Sequence, residues 1–106
     1  MKFQHIQVFI SCQDSSEAKK LVESLLADQI IACAQIIPIV ESFYRWQGQI
    51  VNDRECLLML KTRQRHFAAI EQRVRALHSY DVPEIIAVPL VEGSTEYMKW
   101  IDEQTQ

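Results

Sequence analysis

A chain of 106 residues, close to half of them apolar and only two of them glycine, has the make-up of one compact domain with a modest core. Its net charge of -3 and its sequence pI near 5.5 exclude nucleic acid as the main partner. No apolar run approaches the roughly 20 residues of a membrane span.

The opening stretch MKFQHIQVFISCQD has neither the uninterrupted apolar segment nor the small-residue cleavage site of a signal peptide. It is read as a structural start, and the expected location is cytoplasmic. Three cysteines, Cys12, Cys33 and Cys56, are too few and too odd in number for a disulfide framework. No CxxC, HxxxH or HExxH occurs, so no zinc site is written locally into the chain.

In chain order, His5 to Cys12 is rich in Ile, Val and Phe and predicts a first strand. Asp14 is placed to cap the helix that follows, with Glu17 three residues on as the second half of a capping box. Ala18, Leu21, Val22, Leu25 and Leu26 then form one apolar helical face. Ile30 to Trp46 is β-branched and aromatic throughout, and Pro38 inside it predicts a bend, bulge or exposed edge because proline offers no ladder donor. WQGQ supplies a tight turn in which Gly48 takes a positive φ, and Ile50 to Leu60 runs back as a third strand. The two strands form a long hairpin whose far end projects beyond the core.

Thr62 is expected to cap a second helix with the stripe Phe67, Ile70, Val74 and Leu77, its arginines lying on a solvated face. That helix must end by Val82, because the residue before Pro83 is biased out of the α region. Glu84 to Val91 reads as a continuous, buried strand, and Gly93-Ser94 starts a last short helix carrying Tyr97, Met98, Trp100 and Ile101. The order βαββαβ plus a terminal helix is the ferredoxin-like α+β sandwich: a four-stranded antiparallel sheet with two helices on one face. The other face of so apolar a chain is expected to be covered by association.

Five blocks in this order, IIACAQIIP, SFYRWQGQI, ECLLMLKT, LHSYDVPEI and EYMKWI, resemble the CutA divalent-cation-tolerance proteins from about Glu17 to Ile101. The resemblance implies a ferredoxin-like subunit in a tight homotrimer around a three-fold axis. It also implies a role in metal-ion tolerance, with copper the leading ion. The trimer's shape is similar to that of PII-type signalling proteins, which bind small effectors between subunits. Two departures from the family pattern stand out. The usual His-Pro-Tyr-Glu is here His78, Ser79, Tyr80 and Asp81, and the usual threonines at the end of the first strand are replaced by Ser11-Cys12, in a loop about one residue shorter. A cysteine near that point is linked to copper in some members.

His78 and Cys12 are the candidate metal ligands, since imidazole and thiolate suit Cu(II) and Cu(I). The plain structural alternatives are a histidine bonded to the last helical turn and a cysteine buried as a small hydrophobe, for Cys12 shares parity with Ile6, Val8 and Ile10. Tyr80, Asp81 and Glu84 beside His78 are expected to shape a pocket or orient its ligands. Tyr44 and Trp46, on one strand face near the turn, either line that cleft or pack against a neighbouring subunit. Lys61 either holds an anion or pairs with Glu84. Cys33 and Cys56 read as core, His5 and His66 as ordinary surface residues. Neither a nucleophile elbow nor a glycine-rich phosphate loop is present, so neither catalysis nor an organic cofactor is expected. The leading expectation is a non-catalytic homotrimer of divalent-metal tolerance. A PII-like trimer binding a small anion and a trimeric scaffold for other proteins are the alternatives.

Overall fold

The computed structural model describes residues 3–106. Strand β1 (His5–Cys12) leads to helix α1 (Ser15–Ala27), and strands β2 (Cys33–Trp46) and β3 (Gln49–Arg63) form the long hairpin. Helix α2 (Phe67–Leu77), strand β4 (Ile85–Pro89) and helix α3 (Thr95–Gln104) complete the order. The sheet runs β2-β3-β1-β4 with every neighbouring pair antiparallel, which is the ferredoxin-like arrangement.

Alternation in the two central strands decides which face is core. Ile6, Val8, Ile10 and Cys12 of β1 and Cys56, Leu58 and Leu60 of β3 are buried, and they meet Leu21 and Leu25 of α1 and Ile70 and Val74 of α2. Helix α1 begins as the sequence predicts, with the Asp14 carboxylate accepting the Glu17 N–H at 2.9 Å. Glu17 in turn reaches back to the Gln13 N–H at 3.3 Å, one residue before the position a capping box would use.

The hairpin carries both expected irregularities. The β2–β3 register slips between Ile37 and Val40, around Pro38, so β2 has one residue more than its partner there. Its two-residue turn is Gln47-Gly48, with φ of 51° and 78°, the doubly positive pair that matches the twist of the flanking strands. Beyond the slip the hairpin leaves the core, and Phe43 and Ile50 near its tip are 68% and 73% exposed.

Four expectations are corrected. Thr62 does not cap a helix: it belongs to β3, is fully buried, and its hydroxyl donates to the Ile30 carbonyl at 2.6 Å. Helix α2 is instead entered through a single 3₁₀ turn, Gln64–His66, with no side-chain cap. Strand β4 is shorter than expected, and it is not buried within one chain, because it is an edge strand paired only with β1 and Ile86 and Val88 are exposed. His5 is no surface residue, since its Nε2 lies 2.8 Å from Asp102 of α3. His66 is partly buried and meets the Gln106 carbonyl at 2.6 Å.

Helix α3 lies over one end of the second sheet face, held there by His5–Asp102, by Arg63 donating to Thr105, and by Cys33 Sγ 3.5 Å from the Tyr97 hydroxyl. Its own start is capped by Ser94, which accepts the Tyr97 N–H. The remainder of that face stays open in the single chain. Replacing the buried Thr62 with valine keeps the shape and removes the donor to the part-buried Ile30 carbonyl; denaturant melts should show a loss of about 1–3 kcal/mol.

Candidate functional site

The polar run after α2 folds back onto the end of β1. Helix α2 stops at Leu77, and His78 is already extended, with φ of -81° and ψ of 145°. Its ring is shut off from solvent and sits between three elements. Nε2 lies 2.6 Å from the Ser11 carbonyl of β1, which can only accept, so Nε2 carries a hydrogen. Nδ1 has the Tyr80 N–H at 3.0 Å and Glu17 Oε1 of α1 at 3.2 Å. A neutral ring accepts from the first, and a protonated ring donates to the second.

Glu17 also takes both donors of Ser79, the backbone N–H at 2.9 Å and the hydroxyl. The same carboxylate that lies against the first turn of α1 therefore ties the loop to the helix. Tyr80 stacks edge-on against the His78 ring, centroids 4.7 Å apart, and its hydroxyl donates to Glu55 of β3 at 2.8 Å. Burial, and then Glu55 itself, holds the Tyr80 phenol well above its ordinary range, so it stays a donor at neutral pH.

Outside this network lies a cleft of about 560 Å³ between the loop and the outer half of the hairpin. Phe43, Tyr44 and Trp46 form one wall, Tyr80, Asp81, Val82 and Glu84 the other, with Ser11 and Glu55 also lining it. Tyr44 is steadied by a bond from its hydroxyl to Asp53 at 2.9 Å. Five of the eight residues singled out from the sequence thus share one cleft: Tyr44, Trp46, Tyr80, Asp81 and Glu84. Its lining carries three carboxylates and no basic side chain, a charge balance that favours a cation over an anion.

The other three lie elsewhere. Lys61 does not pair with Glu84, its amine donating to Gln35 on the neighbouring strand at 2.9 Å. His78 is behind the cleft wall with both ring nitrogens engaged. Cys12 is fully buried one residue past the carbonyl that His78 holds. Burial first, and then the Glu17 charge, pushes the Cys12 thiol up to about 12, so it is protonated at neutral pH. Among the described residues, no group of three or more His, Cys, Asp or Glu side chains is arranged to hold a metal ion.

Sequence reasoning missed Glu17 and Glu55 as parts of this site. Glu17 was accounted for by its helix cap. Glu55 carried a signal that went unused, as an acid opening the apolar run ECLLML.

Together these features define a class: a ferredoxin-like α+β subunit with an acidic, aromatic cleft suited to positive charge. Residues 6–104 match the family described as CutA1 divalent ion tolerance protein, and the chain belongs to that family. The divalent-cation tolerance protein CutA of Thermus thermophilus is 42% identical over 98 residues, covering 92% of this chain and 95% of that protein. The chloroplastic CutA of Arabidopsis thaliana is 39% identical over 95% of this chain, but the match spans only 56% of the plant protein. Among solved structures, the T. thermophilus Cut A1 protein superposes with a TM-score of 0.93 at 40% identity, covering 96% of this chain and 99% of the other. The Archaeoglobus fulgidus protein does so with a TM-score of 0.93 at 34% identity, covering 96% and 99%.

These names correct the cytoplasmic expectation. The Arabidopsis and rice relatives are called chloroplastic and the A. fulgidus protein periplasmic, so the family is not tied to the cytoplasm. That no described helix is long and apolar enough to cross a membrane does not decide among such compartments.

Two outcomes test the geometry. Tyr80→Phe leaves the buried Glu55 carboxylate without its donor and should cost about 1–3 kcal/mol in denaturant melts. The raised Cys12 pKa works in the alkaline direction: the folded state holds the thiol proton more tightly than the unfolded chain. Its contribution is full below pH 9 and is lost as the pH rises toward 12. Melts of Cys12→Ala across that range should fall less steeply than those of the unaltered protein.

Proposed function

We propose that this protein serves divalent-metal tolerance as a non-catalytic homotrimer that weakly binds copper or another divalent cation. The observation that carries the reading is the cleft, whose lining includes Glu55, Asp81 and Glu84 with Tyr80 and no basic side chain to oppose a cation. Carboxylates would collect the ion; His78, packed against Tyr80 of the cleft wall, and Cys12, buried next to Ser11, are the ligands that would favour copper over harder ions.

Both inner ligands are held closed, which supports weak binding. His78 must give up the Tyr80 N–H at Nδ1 before it can donate a lone pair. Cys12 must lose a proton that burial retains. Asp81 and Glu84 shape the mouth, Tyr44 and Trp46 its opposite wall, and Lys61 stays with Gln35 on the sheet. The trimer is supported by the bare sheet face around Ile86 and Val88 and by the projecting hairpin, surfaces that a single chain leaves in water.

A calorimetric copper titration tests the reading, alongside the double variant His78→Ala, Cys12→Ser. Saturable binding at about one ion per chain, abolished in the variant and tightening as pH rises, is expected. Binding that is absent, or unchanged in the variant, removes the two residues from the site. Light scattering should give about three times the 12.4 kDa chain mass, and a mass near one chain overturns the trimer.

A further inference from the structure

Cys12 ends β1 directly opposite Cys56 of β3 in the antiparallel register. Both are free thiols, both are fully buried, and both belong to the strand positions that face the helices, so the two side chains leave the sheet on the same side. Directly opposed residues in such a pair hold their Cα atoms about 4.5–5.5 Å apart, inside the roughly 4.4–6.8 Å that a disulfide spans. Cys33, the third cysteine, sits on the opposite sheet face beside Tyr97 and cannot compete for either sulfur.

From this placement we infer that Cys12 and Cys56 are an oxidisable pair that closes into an intrachain disulfide across β1 and β3. The oxidant is a low-molecular-weight disulfide of the glutathione type. The Cys56 sulfur, as its thiolate, attacks one sulfur of the oxidant and releases the first small thiol. Cys12 then attacks the Cys56 sulfur of the mixed disulfide, forms the protein S–S bond and releases the second small thiol. Two protein S–H bonds are lost, two electrons pass to the oxidant, and the two protons end on the two thiols released.

Burial slows this step because it disfavours each thiolate, yet it does not oppose the product, which is uncharged. Both residues are fully buried, so the oxidant reaches them through local opening at the β1–α1 junction, where the neighbouring Gln13 and Asp14 are exposed. The cross-link would span α1 and most of the hairpin, and it would remove the Cys12 thiol as a metal ligand. The inference stands on the cysteine pair alone and does not rest on the metal reading.

The test uses Cys33→Ser protein incubated natively with excess oxidised glutathione, followed by thiol trapping, intact mass and a non-reducing peptide map. The expected result is a chain about 2 Da lighter than its reduced form, with a peptide joining Cys12 to Cys56 that separates on reduction. Two free thiols after prolonged incubation, glutathione adducts without an intrachain link, or cysteines joined between chains would each overturn it. Should Cys33→Ser fail to fold, the same map of the unaltered protein assigns the linked pair directly. A melting temperature that rises on oxidation and returns on reduction is expected of the same sample.

Discussion

One imidazole holds the candidate site together. The His78 ring reaches the carbonyl of Ser11 at the end of β1 and the N–H of Tyr80 in its own loop, while Glu17 of α1 lies against its second nitrogen. The β1–α1 junction and the loop after α2, 67 residues apart at Ser11 and His78, meet at a ring from which solvent is excluded, where an unmade hydrogen bond costs more than it would in water. Tyr80, positioned by that ring, carries the linkage on to Glu55 of β3. The cleft therefore has one rigid wall, built from the exit of α2, and one that belongs to the projecting hairpin.

The same satisfaction restrains the chemistry. A histidine with both nitrogens bonded and a cysteine whose thiol stays protonated are poor ligands as they stand, whereas Asp81 and Glu84 line the open cleft. On the proposed reading, such an arrangement would give shallow, exchangeable cation binding and not a closed chelate. Covering the mouth with a second chain would lower the local dielectric and strengthen whatever the cleft holds.

The exposed apolar surface and the cleft share a physical origin. Two helices cover one face of a four-stranded sheet, and α3 covers only the end of the other, so Ile86, Val88 and the hairpin's Phe43 and Ile50 are left in water. Phe43 both lines the cleft and forms part of that surplus of apolar surface. A second chain that buried the surplus would also border the cleft.

Much of this was legible from residue order. The strand parity of Ile6, Val8, Ile10 and Cys12, the Asp14 and Ser94 caps, the slip around Pro38 and the positive φ of Gly48 all follow from local rules, because each depends on neighbours within a few residues. Thr62 shows where such rules stop: its type and position suit a helix cap, but a carbonyl 32 residues earlier claims its hydroxyl. His78, Glu17 and Glu55 are the same case at the site, since which acid meets which ring is decided by how β1, α1 and β3 pack. By itself the sequence determined the elements, their order and the family, which are properties of pattern and period. Only the tertiary structure decided that the ligand candidates are closed, that the cleft is acidic and that Cys12 faces Cys56, because these depend on distances between segments that no local period encodes.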